Sequence, residues 1–313
     1  MRPAEQTMAQ NDYRDVKGFL YDDELVRLLC ADSSYPELVD RFMKDDFLVV
    51  DPAMKVPFFA EVRDYVGAKE RGDPQAQWIV KPVSEEDALG PAMGAVCFFL
   101  DFFTRTVSAP TVVTRIGGAL HKATRVIAKA EQLTGANYTD IRQLKEQLLL
   151  DLINRWIYCD EDRNPNNYLI RYNSRSDQII VAIDFSNVDL LHPGTKITGN
   201  AKSFGWERSE KTRYLTPLKI EHFTGYDMRF FDMRFDGFRK VGRKMLADLC
   251  RGCLRFHPDR AKLVKTVTDN LMTRIEYVYG YFAAKFPKDA AGAKDDKYRD
   301  MGQTFGRIYK DKR

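Results

Sequence analysis

Residues 160–167 read Asp160-Glu161-Asp162-Arg163-Asn164-Pro165-Asn166-Asn167, and residues 181–186 read Val181-Ala182-Ile183-Asp184-Phe185-Ser186. The first stretch is a polar loop with a carboxylate and an amide five positions apart, Asp162 and Asn167. The second is an apolar run ending on a carboxylate, Asp184. Residues 168–172 and 178–183 have the composition of strands, and the turn-forming 173–177 separates them. This hairpin, with the helix before the loop, sets the two carboxylates against each other.

Upstream of the loop, residues 140–158 carry apolar side chains at Ile141, Leu144, Leu148, Leu152 and Trp156. That spacing predicts a long helix, with Thr139 or Asp140 able to cap its start. Further upstream the texture is β. Residues 47–50 and 111–116 read as strands, and Gly117-Gly118 as a hairpin turn leading to a returning strand at 122–127. Trp78-Ile79-Val80-Lys81-Pro82 reads as a short strand with a lysine at its end. Residues 56–63 look extended, and 66–76, with Gly67, Gly72 and Pro74, look like a turn or loop. One helix is expected among the strands, from Glu85 to about Val107, with Leu89, Met93, Val96, Phe99, Leu100 and Phe103 at three- and four-residue spacing. Two short helical patterns occupy 22–45, helices are expected at 235–254 and 263–286, and 193–217 reads as a long loop. The expected fold is therefore α+β and two-lobed, strands first and helices after.

The residue inventory suits phosphoryl transfer, whose densely charged group calls for metal ions, a lysine and a positioned base. Asp184 and Asn167 are the candidate Mg²⁺ ligands, because magnesium takes hard oxygens and often uses one or two carboxylates plus phosphate. Asp162 is the candidate base or orienting group for the accepting hydroxyl. Lys81 is the candidate point charge on the nucleotide phosphates. Asp160 and Glu161 read as solvated loop carboxylates, and the cleft as acidic.

The stretch 162–167 resembles the catalytic loop D-R-H-x-x-N of HipA-like and phosphatidylinositol kinases, and is similar to the D-x-x-x-x-N of protein kinases. Residues 181–186 resemble the I-D-F-G or I-D-H-G metal motif of the same superfamily, and 78–82 its lysine-bearing strand. The likeness covers about residues 45–286, and the short chain favours the HipA-like kinases. It implies a bilobal kinase-like fold: an N-terminal extension (1–45), a mainly β N-lobe (46–131), a mainly α C-lobe (132–286) and a basic tail (287–313). It implies that ATP and Mg²⁺ are the cofactors and that Asp162 is the catalytic aspartate. It further implies that Lys81 contacts the α/β-phosphates and that 126–132 is a hinge. In that hinge Ile127, Ala128, Lys129 and Ala130 would meet adenine through backbone groups.

The sequence departs from the pattern at four places. Asn164 stands where the family has histidine, and Ser186 where it has glycine. No glutamate sits mid-helix to pair Lys81; Glu85, Glu86 and Asp101 are the nearby acids. No G-x-G-x-x-G precedes Lys81, and 67–72 is read as a hairpin turn at least as well as a phosphate loop.

Composition sets the outer bounds. The chain has 313 residues, 44% of them hydrophobic, enough to bury a core. Its apolar stretches, such as 95–100 and 148–153, fall far short of the ~20 residues a bilayer requires. No secretory signal is evident, and five sparse cysteines fit a reducing cytoplasm better than a disulfide framework. A net charge of +4 does not indicate nucleic acid, and from Lys285 onward nine Lys/Arg face five Asp, which alone equals that charge. Cys250, Cys253 and His257 offer three metal ligands where zinc wants four, so helix-end packing is the favoured reading. The hydroxyls Thr195, Thr198, Ser203, Ser209 and Thr212 lie where kinases carry an activation segment.

The favoured acceptor is a protein Ser/Thr hydroxyl. The alternatives are a pseudokinase or nucleotide-sensing scaffold, and a lipid or small-molecule kinase. Acceptor and oligomeric state are not legible in the sequence.

Overall fold

The computed structural model describes residues 35–104, 106–160, 162–172, 178–193, 197–200, 203–206, 218 and 220–288. The pattern at 22–34, Glu161, Thr195, Ser209, Thr212 and the tail beyond 288 lie outside the described residues.

The first half is a sheet with a helix on it. Helix α1 (Tyr35–Met43) precedes strands β1 (Leu48–Val50), β2 (Val66–Glu70), β3 (Asp73–Pro82), β4 (Thr111–Ile116) and β5 (Ala119–Arg125). They form one antiparallel sheet in the order β1-β2-β3-β5-β4. The β4–β5 turn is the expected one, with φ of 58° at Gly117 and 84° at Gly118, a conformation that glycine adopts without steric cost.

Two upstream expectations are corrected. Residues 66–76 are not a loop: they are β2 and the start of β3, joined at Arg71-Gly72. Gly67 marks a close approach rather than a turn, since a Cβ there would stand 2.6 Å from the Cβ of Met54. Residues 56–63 are not extended either, because 58–62 form the short helix α2 (Phe58–Val62), which Pro57 precedes. Apolar side chains of this turn are open to solvent, Phe58 at 79% and Val62 at 69%, so no strand pairing orders them.

Helix α3 (Leu89–Phe103) joins β3 to β4 and is apolar nearly all round, as a helix covered on most sides must be. It packs on the sheet and on the helices that follow.

The second half is mostly helical. The long helix is α4 (Arg142–Tyr158), two residues shorter at its start than expected. Asp140 does not cap it; its carboxylate accepts from Asn137 Nδ2 at 2.6 Å. Short strand β6 (Glu131–Gln132) pairs with β7 (Tyr168–Tyr172), which pairs with β8 (Gln178–Ala182) as the hairpin required. The loop expected at 193–217 contains a two-stranded hairpin, β9 (Ile197–Asn200) and β10 (Ser203–Trp206). The single helix expected at 235–254 is two, α5 (Met228–Lys240) and α6 (Arg243–Cys253), divided at Val241-Gly242. Helix α7 (Arg260–Lys285) closes the bundle. Phe223, Phe231, Phe282 and Phe286 form its aromatic core, while Phe42, Trp78, Phe98 and Phe99 fill the sheet half.

The two halves meet at β8. Ala182 N–H donates to Val107 O, and its C=O accepts from Ala109 N–H, at 3.0 and 2.9 Å. The architecture is the two-lobed α+β layout expected, strands first and helices after. No helix of the described residues is long and apolar enough to cross a membrane.

Candidate active site

The loop after α4 is fixed from beneath by buried charge. Cys159 ends the helix in a left-handed turn, φ 50°, and sends the chain to Asp160. Asp160 is 1% exposed and ion-paired to Arg163 Nε at 2.7 Å. The reading of Asp160 as a solvated carboxylate is thereby corrected. Burial raises its carboxyl to about 6, although Arg163 and Arg155 pull it down. Arg155, fully buried in α4, bonds Asp151 and also Asp101 of α3, the latter at 2.7 Å. Burying such charges is tolerable only when each is paired.

Arg163 carries this order to the second motif. Its guanidinium donates to the carbonyl of Ile183 at 2.9 Å and to that of Asp184. Ile183 N–H donates to Asn167 O at 3.0 Å. Asp184 adopts a left-handed backbone, φ 56°, which is costly for a non-glycine residue and recurs at functional sites. Ser186 stabilises it locally, its hydroxyl donating to Asp184 Oδ1 at 2.6 Å.

Asp162, Asn167 and Asp184 thus come together. The Asp162 carboxylate accepts from Asn164 Nδ2 at 2.5 Å and from Asn187 Nδ2 at 3.2 Å. Asn164, the departure from the family histidine, therefore holds the candidate base. Asn167 spends its amide N–H on Asp162 O at 2.6 Å, which leaves Oδ1 as its unengaged polar atom among the described residues.

Asn167 and Asp184 border a cavity of about 240 Å³ between the sheet and the loop, and Asp162, bonded to Asn167 through its carbonyl, is not on its wall. Ile79, Lys122 and Thr124 line it from the sheet, Val126 and Ile127 from the connection, and Leu169, Ile183, Asn167 and Asp184 from below. Ile127 is thus on the wall, whereas Ala128, Lys129 and Ala130 are not. Lys129 has φ 52° and its carbonyl accepts from Arg171.

Lys81 lies apart from the cavity wall. It faces Lys122 across the β3–β5 ladder, but its Nζ donates to Arg63 O at 2.8 Å and stands 3.9 Å from Asp64. No acid of α3 reaches it. Asp101 is committed to Arg155, Asn154 and Tyr158, and Glu85 pairs with Arg115.

Two cations that sequence reasoning missed do reach the site. Arg63 Nη1 bonds Asp184 Oδ2 at 3.0 Å, and Lys122 lines the same wall. Burial raises the Asp184 carboxyl, but Lys122, the Ser186 hydroxyl and Arg63 outweigh it and hold it at about 2. The expected acidic cleft is corrected: Arg63, Lys122 and Arg125 line the cavity against one carboxylate, Asp184. A lysine interrupting the strand pattern at 122 was a usable signal. Arg63 had none, because its partner is 121 residues away.

The Cys250–Cys253 segment is the end of α6, with both thiols buried, as the packing reading expected. Gly67 and Gly72 serve a close approach and a hairpin turn.

No family model matches the chain, and no curated protein matches it. Among solved structures it is similar to the Helicobacter pylori proinflammatory kinase CtkA, with 9% identity and a TM-score of 0.49 over 77% of this chain and 98% of that one. It is also similar to HipA of a Shewanella oneidensis toxin–antitoxin system solved with HipB and operator DNA. There the identity is 11% and the TM-score 0.29, over 96% of this chain and 84% of that one. Both likenesses concern the path of the chain, and the functional reading is built on this chain's own side chains.

Proposed function

We propose that the protein transfers the γ-phosphoryl group of ATP, with Mg²⁺, to a hydroxyl, with protein Ser/Thr as the acceptor class. The observation that carries this reading is that Asn167 and Asp184 line one cavity with Lys122, while Asn167 Nδ2 bonds the Asp162 carbonyl.

The donor set suits the metal. Asp184 offers a carboxylate and Asn167 an amide oxygen left over from its bond to Asp162, both hard oxygens. Asp184 and Asn167 would hold Mg²⁺, which when bound would neutralise phosphate charge. Asp162, oriented by Asn164 and Asn187, accepts the proton of the attacking hydroxyl at its carboxylate. Lys122 and Lys81 supply positive charge to the phosphates from the β5 and β3 strands. The base stacks between Ile79 and Leu169, and Ile127 meets it through its backbone; neither its N–H nor its C=O is engaged among the described residues. The chain divides at 131/132 into N- and C-lobes in this reading, and four buried cysteines outside disulfides among the described residues suit a reducing cytoplasm.

Calorimetry with Mg²⁺ and ATP tests it. The unsubstituted chain binds, and Asp184→Ala weakens binding at least about ten-fold, the loss of one charge-assisted contact. Equal affinity in both would contradict the reading.

A second reading, a nucleotide-binding scaffold without turnover, is favoured by one observation: no carboxylate of α3 meets Lys81. It predicts stabilisation by Mg-ATP with no phosphate transferred.

A further inference from the structure

The β1–β2 connection, residues 51–65, folds over the cavity, and Pro57 and Phe59 line it from above. Its foot is tied down. Asp51 N–H donates to Gly67 O at 2.8 Å, and the Asp51 carboxylate pairs with Lys69 at 2.6 Å. Its far end is held differently. Within 58–64 the backbone bonds are local ones. Among the described residues, the polar contacts from that stretch to the rest of the molecule are Arg63 on Asp184, and Lys81 on Arg63 O and Asp64. Both contacts use residues of the proposed phosphate and metal site. Phe58 and Val62, meanwhile, point largely to solvent.

We propose that Arg63 gates the site: its guanidinium occupies Asp184 until a divalent cation claims the carboxylate, and then swings, with Lys81, onto the nucleotide phosphates. This rests on the reading of Asp184 as a metal ligand. Three physical points support it. A guanidinium and a divalent cation compete for the same carboxylate oxygens. The Arg63 side chain is 57% exposed against 17% for Asp184, so the guanidinium can leave the pair directly into solvent. The Arg63 carbonyl is the acceptor that holds Lys81 Nζ, so once the guanidinium lets go, movement of the 58–64 segment frees Lys81 as well. Together with Lys122 they would form a three-cation cradle, enough to meet a polyphosphate without the helix glutamate that this chain lacks.

Arg63 should therefore act with opposite sign on two ligands, which a merely structural side chain would not do. The test is titration of the full chain at low salt with Mn²⁺ alone, and separately with Mg²⁺ and a non-hydrolysable ATP analogue. In Arg63→Ala, Mn²⁺ binds about two- to five-fold tighter, because its competitor is gone. The same variant binds the analogue about ten-fold more weakly, because a charged phosphate donor is gone. Arg63→Lys falls between on both. Mn²⁺ affinity unchanged or lower in Arg63→Ala, or analogue affinity unchanged, overturns the gate, as does undetectable Mn²⁺ binding in both proteins. Asp184→Ala separates this from the parent reading. If that variant loses Mn²⁺ while Arg63→Ala changes nothing, the gate alone fails. If Asp184→Ala binds Mn²⁺ as the unsubstituted chain does, the metal site fails and the gate with it.

Discussion

Gly94 of α3 lies so close to Phe185 that a Cβ on the glycine would stand 3.0 Å from the phenylalanine's own Cβ. The contact joins the helix of the sheet half directly to the residue after Asp184. It gives the glycine a reason to sit inside a helix, where alanine would be favoured by about 1 kcal/mol.

Substitutions at Gly94 should separate those two effects. Gly94→Ala sets helix propensity against a tight contact and should leave the melting temperature nearly unchanged. Gly94→Val adds an isopropyl group and costs about 1–3 kcal/mol by overpacking. It should also lower nucleotide affinity, by pushing Phe185 and with it Asp184. Thermal unfolding and ATP titration of both variants check this; a Gly94→Val chain as stable as the parent contradicts it.

The ion pair between Asp101 and Arg155 is fully buried at both ends. Arg155 keeps Asp151, but removing Asp101 strips the shared buried acceptor from Arg155, Asn154 and Tyr158, at about 3–5 kcal/mol. Asp101→Ala should therefore unfold at far lower urea. A loss below about 1 kcal/mol would mean that Asp151 alone satisfies Arg155.

Asp184 makes folding sensitive to acid. Its carboxyl sits at about 2 in the folded state, below the ordinary 3.8. Between those values the unfolded chain binds more protons, so stability rises with pH there. The contribution, about 2 kcal/mol, is complete above pH 4 and is lost as the pH falls through 2. Lys122→Ala should raise the Asp184 value and flatten this dependence. NMR titration of the Asp184 side chain, in parent and variant, reads it directly.

The thiols at the end of α6 should be inert. Burial pushes Cys250 up to about 12 and raises Cys253 as well. Thiolate reagents at pH 8 should label neither until the chain unfolds. A chelator should leave the melting temperature unchanged. Fast native labelling, or a melting temperature that drops with chelator, would favour the metal alternative.

What the sequence made legible is local. The β4–β5 turn follows from two adjacent glycines, and the Asp162–Asn167–Asp184 cluster from a loop and the hairpin after it, all within 23 residues. Contacts across the cleft were not legible. Arg63 meets Asp184 across 121 residues, and no periodicity encodes such a pair. Composition also misled where its usual meaning failed. Gly67 signalled a turn but serves a close approach inside a strand, and 56–63 looked extended but hold a short helix whose Phe58 and Val62 face solvent. The charge of the cleft was misjudged for the same reason, since Asp160 lies under the loop with Arg163 rather than in solvent.

The account rests on Asp162 and Asp184 acting together on ATP. The direct measurement is transfer of radiolabelled γ-phosphate from Mg-ATP to protein hydroxyls, the chain's own included. The unsubstituted protein should incorporate label over many turnovers, and Asp162→Ala and Asp184→Ala should each lower the rate at least about 100-fold, the scale of a lost general base. Incorporation by Asp162→Ala at the parent rate, or none by the parent itself, would contradict it.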